Sequence, residues 1–268
     1  MMAKRTPGEK HWWGESSLEV GQRGVWRIGA LQLYVERRPG EWLLAHQSSD
    51  DETDTSLGFE VTEDLTPLPE EAEVKRFAVG SADPRLRLAP ILPDRPLVSR
   101  PEHPFHVLAG EEVRIFVSCP LWVSVQAGKK LRPLAEIPIY RSSDTWFGPS
   151  TREGELAYGS RTRCRSSLAD LPRRPQRAVI PVVVRNRADE TLVIERLSLP
   201  VPHLPLYLAT DGGLWTSQVQ MVVQDQKGLA DIEIGKQPPE VGKGGMVSDP
   251  RDPVGGSIFT RAIGAMIG

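Results

Sequence analysis

The sequence predicts an all-β protein, an antiparallel β-sandwich architecture in two β modules with a short C-terminal helical tail. Three observations carry this. Apolar and polar residues alternate with period two through most of the apolar segments, as half-buried strands require. Glycine and proline, 24 of each in 268 residues, are in excess, and that many turns favour short strands over long helices. No segment before residue 240 carries a 3.6-residue apolar stripe over three turns.

Taken in order, residues 1–13 read as a flexible N-terminus whose basic residues precede no apolar run of signal-peptide length. An N-terminal β module spans 14–95. In it "VWRI" and "LQLYVE" alternate as strands, and Pro39-Gly40 turns the chain into "EWLLAHQ", a hairpin. "SSDDETDTSLG" reads as an acidic loop and "TPLPEEAE" as a linker. Strands resume at "VKRFAVG" and "RLRLAPIL". The four prolines of "LPDRPLVSRPEHP" place that stretch outside any sheet interior, at the boundary between modules.

The C-terminal module spans 101–236. It opens with Gly110-Glu111-Glu112 as a turn, then two apolar strands, "EVRIFVSC" and "LWVSVQ", separated by Pro120. "LAEIPIYRSS" reads as an edge strand, limited by Pro138. "AVIPVVVRNRADETLVIERLSLP" reads as the clearest hairpin in the chain, with "NRADE" as its turn. Three or four further strands follow, joined at Asp211-Gly212-Gly213 and Lys227-Gly228. Residues 237–268 read as a Pro/Gly-rich tether ending in a short helix, because Ile258, Phe259, Ala262, Ile263 and Met266 fall at helical spacing behind Ser257.

The net charge of −2 exerts no global pull on nucleic acid or anionic lipid, and no apolar run is long enough for a membrane span. The expected location is the cytoplasm. Charge is nonetheless segregated. Ten acids face one base between Gln47 and Lys75, whereas eight arginines face four acids between Arg141 and Arg177, so the two stretches form surfaces of opposite sign. Cys119 and Cys164 are too few for a disulfide framework or a zinc site. Cys119 lies in an apolar strand as a core filler. Cys164, between Arg163 and Arg165, would have a lowered pKa if exposed.

No phosphate loop, GxSxG elbow, HExxH or CxxC pair is present. His103 and His106 bracket Pro104 and would point to opposite faces of a strand, a poor metal pair; His203 lies between prolines. No motif calls for a cofactor, a metal or an assigned catalytic residue. One stretch remains: "WFGPSTREGELAYGSRTRCR", 146–165, inside some forty residues of little regular pattern from Ser142 to Gln176. Loops of that length tend to be functional or disordered, and Trp146, Phe147, Leu156 and Tyr158 argue against disorder. Two readings stand: an arginine-rich surface that binds an acidic or anionic partner, or a cover over a sandwich edge. Asp144, Glu153 and Glu155 add a third, in which carboxylates serve as general acid and base.

"IGALQLYVERRPGEW", "TWFGPSTREGELAYGSRTR", "IPVVVRNRADETLVIERLSLPVP" and "LYLATDGGLWTSQVQM" together resemble an uncharacterised prokaryotic family, domain of unknown function 432, over nearly the whole chain. The resemblance implies no catalytic residues. It implies genes that lie beside small mechanosensitive channels, and hence an accessory protein.

The expected function is a non-enzymatic binding module that docks a protein partner, with a membrane channel's cytosolic face as one candidate. Trp146, Arg152, Glu153, Glu155, Tyr158, Arg161, Arg163 and Phe259 are its expected contacts. The alternatives are a hydrolase or sugar-active enzyme using the carboxylates of 144–155, and a binder of a small anionic ligand. Exposed edge strands leave a homodimer open.

Overall fold

The alternating segments form strands. A computed structural model of the chain describes residues 11–80, 83–148, 152–224, 229–253 and 258–264. Strands and three single-turn 3-10 helices, Leu168–Asp170, Val201–His203 and Pro239–Val241, make up the regular structure of those residues. Among them no helix is long and apolar enough to cross a membrane. The protein is all-β.

The chain gathers into two units, 1–91 with 121–141, and 92–120 with 142–268. The first unit receives β1 (Gly14–Ser17), β2 (Arg23–Ile28), β3 (Leu31–Arg38), β4 (Glu41–Ser48), β5 (Leu57–Thr62), β6 (Glu73–Ala78) and β7 (Arg85–Ile91). The chain then supplies β8 (Leu97–Ser99), β9 (Phe105–Val107) and β10 (Glu112–Pro120) to the second unit. It returns to the first for β11 (Trp122–Ala127) and β12 (Arg132–Pro138). The rest belongs to the second unit: β13 (Ser143–Phe147), β14 (Glu155–Gly159), β15 (Arg177–Asn186), β16 (Leu192–Ile194), β17 (Arg196–Leu199) and β18 (Leu206–Leu208). After these come β19 (Leu214–Thr216), β20 (Val219–Val223), β21 (Leu229–Ile234), β22 (Gly245–Ser248), β23 (Ile258–Arg261) and β24 (Ile263–Gly264).

The first unit holds an antiparallel sheet in the order β5-β2-β3-β4-β6 and another in the order β1-β7-β11-β12. Register explains the burial of the first. Trp26 opposes Leu33, Val35 opposes Leu44 and Arg37 opposes Trp42, so these side chains share one face, all buried. The Arg37 guanidinium lies 4.8 Å from the centre of the Trp42 ring. On the opposite face Tyr34, Leu43 and Ala45 pack under Leu68 and Ala72, so the segment read as a linker is a cover. Arg23 opposes Glu36 on that same face, and both are buried. Arg23 donates to Glu36 Oε1 and to the Thr66 carbonyl, while Arg38 donates to Glu36 Oε2 through Nε (2.9 Å) and Nη2 (2.7 Å).

In the second unit, β10 pairs with β15 along nine residues, and β15 pairs in parallel with β19 and β20 on its other edge. Ile115, Val117, Ile180, Val182, Val184, Val219 and Met221 line one fully buried face. Phe116, Val179 and Trp215 lie on the other, packed with Leu171, which caps the first 3-10 helix, and Val241 of the third. A second sheet runs β13-β14-β8-β17-β24, and β9 pairs with β16.

Pro181 sits in the middle of β15 and leaves a mark. Its partner Phe116 directs both N–H and C=O at Arg165, so the pair is a non-hydrogen-bonded one and Pro181 points its nitrogen at β19–β20, with no hydrogen to donate. The ladder slips there. Val179 opposes Trp215 and Val182 opposes Val219, so the partner strand gains a bulged residue around Ser217 and Gln218.

Four expectations differ from the structure. The expected C-terminal helix is absent: Ile258–Arg261 is β23, paired with β21, and Ile263–Gly264 is β24, paired with β17. A twelve-residue helix is marginal alone, and its β-branched residues extend two sheets instead. Met266 lies outside the described residues. The expected tether likewise carries β22, an edge partner of β18. "AVIPVVVRNRADETLVIERLSLP" is not a hairpin, because β15 joins one sheet while β16 and β17 pair with β9 and β8 in others. The proline-rich stretch is not confined outside a sheet interior. Its prolines flank Leu97–Ser99 and leave those three residues free to form β8, buried between β14 and β17. At the N-terminus, residues 1–10 lie outside the described residues, and Trp12 is buried.

Candidate functional site

The stretch of little regular pattern contains a hairpin. Gly148 and Gly154 pinch its neck: a Cβ on Gly148 would lie 2.1 Å from the Glu153 carbonyl oxygen, and one on Gly154 would lie 2.5 Å from that of Phe147. Only glycine permits this approach. β13 and β14 pair from Ser143↔Gly159 to Phe147↔Glu155, and β13 is the outermost strand of its sheet.

Pairing divides the side chains between two faces. Phe147, Glu155 and Ala157 share one. Phe147 and Ala157 pack with Val98 of β8, and Arg196 covers the Phe147 ring at 5.0 Å. Glu155 is half-buried there and accepts from the Ser198 hydroxyl at 3.2 Å. Burial raises its carboxyl above the ordinary value, against the opposing pull of the Ser198 hydrogen bond and the His203 charge.

The other face carries Asp144, Trp146, Leu156 and Tyr158. Tyr158 is buried and donates to Asp94 at 2.9 Å, with Arg95 5.3 Å above its ring. Arg95 also donates to Asp144 at 3.1 Å. Trp146 and Leu156 are direct cross-strand partners, 42% and 45% exposed, an apolar pair left at the surface.

The remaining residues singled out in the sequence spread around this hairpin. Arg152 and Glu153 are exposed near its tip. Arg161 and Arg163 are exposed beyond β14, Arg163 donating to the Glu102 carbonyl at 3.1 Å, while Arg165 pairs with the Glu102 carboxylate. Cys164 is buried, and burial pushes its thiol up to about 11, so the flanking arginines do not make it reactive. The backbone of Phe259, in β23, pairs with that of Asp231 in β21, in a different sheet from the hairpin's.

Asp144 and Glu155 project from opposite faces of the hairpin, and Glu153 lies in the loop at its tip, so Asp144 and Glu155 do not converge on one reacting atom. Among the described residues no three His, Cys, Asp or Glu side chains gather as a metal site would need. The sequence reading missed Asp94, Arg95 and Ser198, which hold the hairpin in place. They come from 64 to 43 residues away, and nothing in their spacing announces the contact.

Residues 12–267 match the family model described as Protein of unknown function (DUF432), and the chain belongs to that family. No curated protein and no solved structure matches it.

Proposed function

We propose that the chain is a non-enzymatic binding module that docks a protein partner through the β13–β14 hairpin. The observation that carries this reading is the exposed Trp146–Leu156 pair, with Trp146 on the outermost strand β13. Trp is the residue most enriched among binding hot spots, and an outermost strand offers open N–H and C=O groups to an added strand. Arg152 precedes β14 and Arg161 and Arg163 follow it, all exposed, which favours a partner whose contact surface is apolar with an acidic rim. The cytosolic domain of a small mechanosensitive channel is the partner we name, on the strength of the family's implied gene neighbourhood.

The test uses the purified chain and the purified cytosolic domain of that channel from the same source, in a surface-binding assay. Trp146→Ser with Leu156→Ser weakens binding about 30-fold or more, the scale of one hot-spot residue. Equal binding by the variant removes the hairpin as the contact. No binding by the wild-type chain removes the channel as the partner.

A further inference from the structure

A second feature lies in the other sheet of the same unit, where Pro181 forces the bulge. β18 and β21 lie end to end along the outer edge of β19–β20: Leu206 opposes Thr216, and Ile234 opposes Val219. Neither strand pairs with Ser217 between them, while the Gln218 carbonyl accepts from the Gly235 N–H at 2.8 Å just past the end of β21. The edge therefore opens where the ladder slips, and a cleft of about 770 Å³ occupies that opening, within the range of small-ligand sites.

The cleft carries unsatisfied chemistry. Ser217 is 1% exposed, lines the cleft, and its hydroxyl has no hydrogen-bond partner among the described residues. A buried hydroxyl left alone is costly, which points to a partner that arrives from outside the chain. His203 is fixed, because its Nδ1 donates to the Asp252 carbonyl at 2.6 Å, leaving Nε2 for another contact. Tyr207 contributes a phenol to the same wall.

Glu233 and Lys236 also line the cleft, three residues apart at the end of β21. They do not neutralise each other. Glu233 accepts from Gln220 at 3.3 Å, and Lys236 has no carboxylate partner among the described residues. Two opposite charges that face one cleft and stay apart are complementary to a ligand that carries both signs. We infer that this cleft binds a small zwitterion of the α-amino-acid class, its ammonium on Glu233 and its carboxylate on Lys236 with the Ser217 hydroxyl. A simple anion would meet the Glu233 carboxylate, and a simple cation would meet Lys236.

The test is a thermal-shift screen of the purified full chain against the common L-amino acids, followed by calorimetry on the strongest. The expected result is a rise in melting temperature with at least one of them. N-acetylation, which removes the ammonium, and amidation of the carboxylate each abolish that rise. Glu233→Gln and Lys236→Met, both at exposed positions, each weaken the same ligand about tenfold or more, the scale of one charge-assisted hydrogen bond. A flat response across the amino acids overturns the inference. So does equal binding of the acetylated or amidated form, or full affinity in both variants.

Discussion

Replacing Glu36 should be among the most damaging single changes in the first unit. Its carboxylate is fully buried, opposes Arg23 across the strands, and lies beneath the segment that carries Thr66 and Leu68. Glu36→Gln keeps the shape and removes the charge, so the guanidinium of Arg23, 6% exposed, is left buried with only carbonyl and amide oxygens. Breaking a buried pair from one side costs about 3–5 kcal/mol. Arg38, the other partner, is 40% exposed, so Arg38→Ala returns its half of the interaction to water and costs about 1 kcal/mol or less. Urea unfolding followed by hydrogen exchange over residues 23–48 reads the unit that holds the pair. At an m-value of about 2 kcal/mol per molar, Glu36→Gln lowers the midpoint by about 1.5–2.5 M. The double variant Arg23→Met with Glu36→Leu removes both charges and recovers most of that loss. If Glu36→Gln moves the midpoint no further than Arg38→Ala, the buried charge is not what makes this site sensitive.

Burial raises the Glu155 carboxyl, so the folded chain holds that proton more tightly than the unfolded one. Between the ordinary 4.5 and the raised value, stability therefore falls as pH rises, and Glu155→Gln flattens that part of the curve of denaturation midpoint against pH. Burial pushes the thiols of Cys119 and Cys164 up to about 12 and about 11, so iodoacetamide at pH 8 labels neither until urea unfolds the chain; rapid native labelling of Cys164 would contradict its burial. Cutting after Gly245 removes β23 and β24 from two sheets, together with all but the first residue of β22, and should destabilise the fold. Ile263→Ala, at a position 2% exposed, lowers stability by about 2–4 kcal/mol in the same urea assay.

What the sequence disclosed follows the range of the interactions involved. The β3–β4 turn at Pro39-Gly40 and the β18–β19 turn at Asp211-Gly212-Gly213 were legible, because each closes a local ladder whose chemistry sits in adjacent residues. The destination of β15 was not. Val182–Val184 and Leu192–Ile194 look alike as apolar runs, and nothing local says that one pairs with β10 and the other with β9. The tail failed for a related reason: Ile258 and Ile263 fit a helical stripe and a strand equally well, and the open edges of β21 and β17 decided between them. At the candidate site, the aromatic residues were legible as a surface of interest. Their division between a buried Phe147 and an exposed Trp146 needed the register with β14. The paired glycines of "FGPSTREGE" were the available signal for the hairpin.

The path of the chain between its two units has a consequence for synthesis. β10, the apolar partner of β15, leaves the ribosome roughly sixty residues before that partner exists, a gap of several seconds at ordinary elongation rates. In the same interval β11 and β12 complete the sheet begun by β1 and β7. The amino-terminal half thus matures while a bare hydrophobic strand still lacks its partner, and during that wait the nascent chain is most exposed to mispairing and to capture by chaperones.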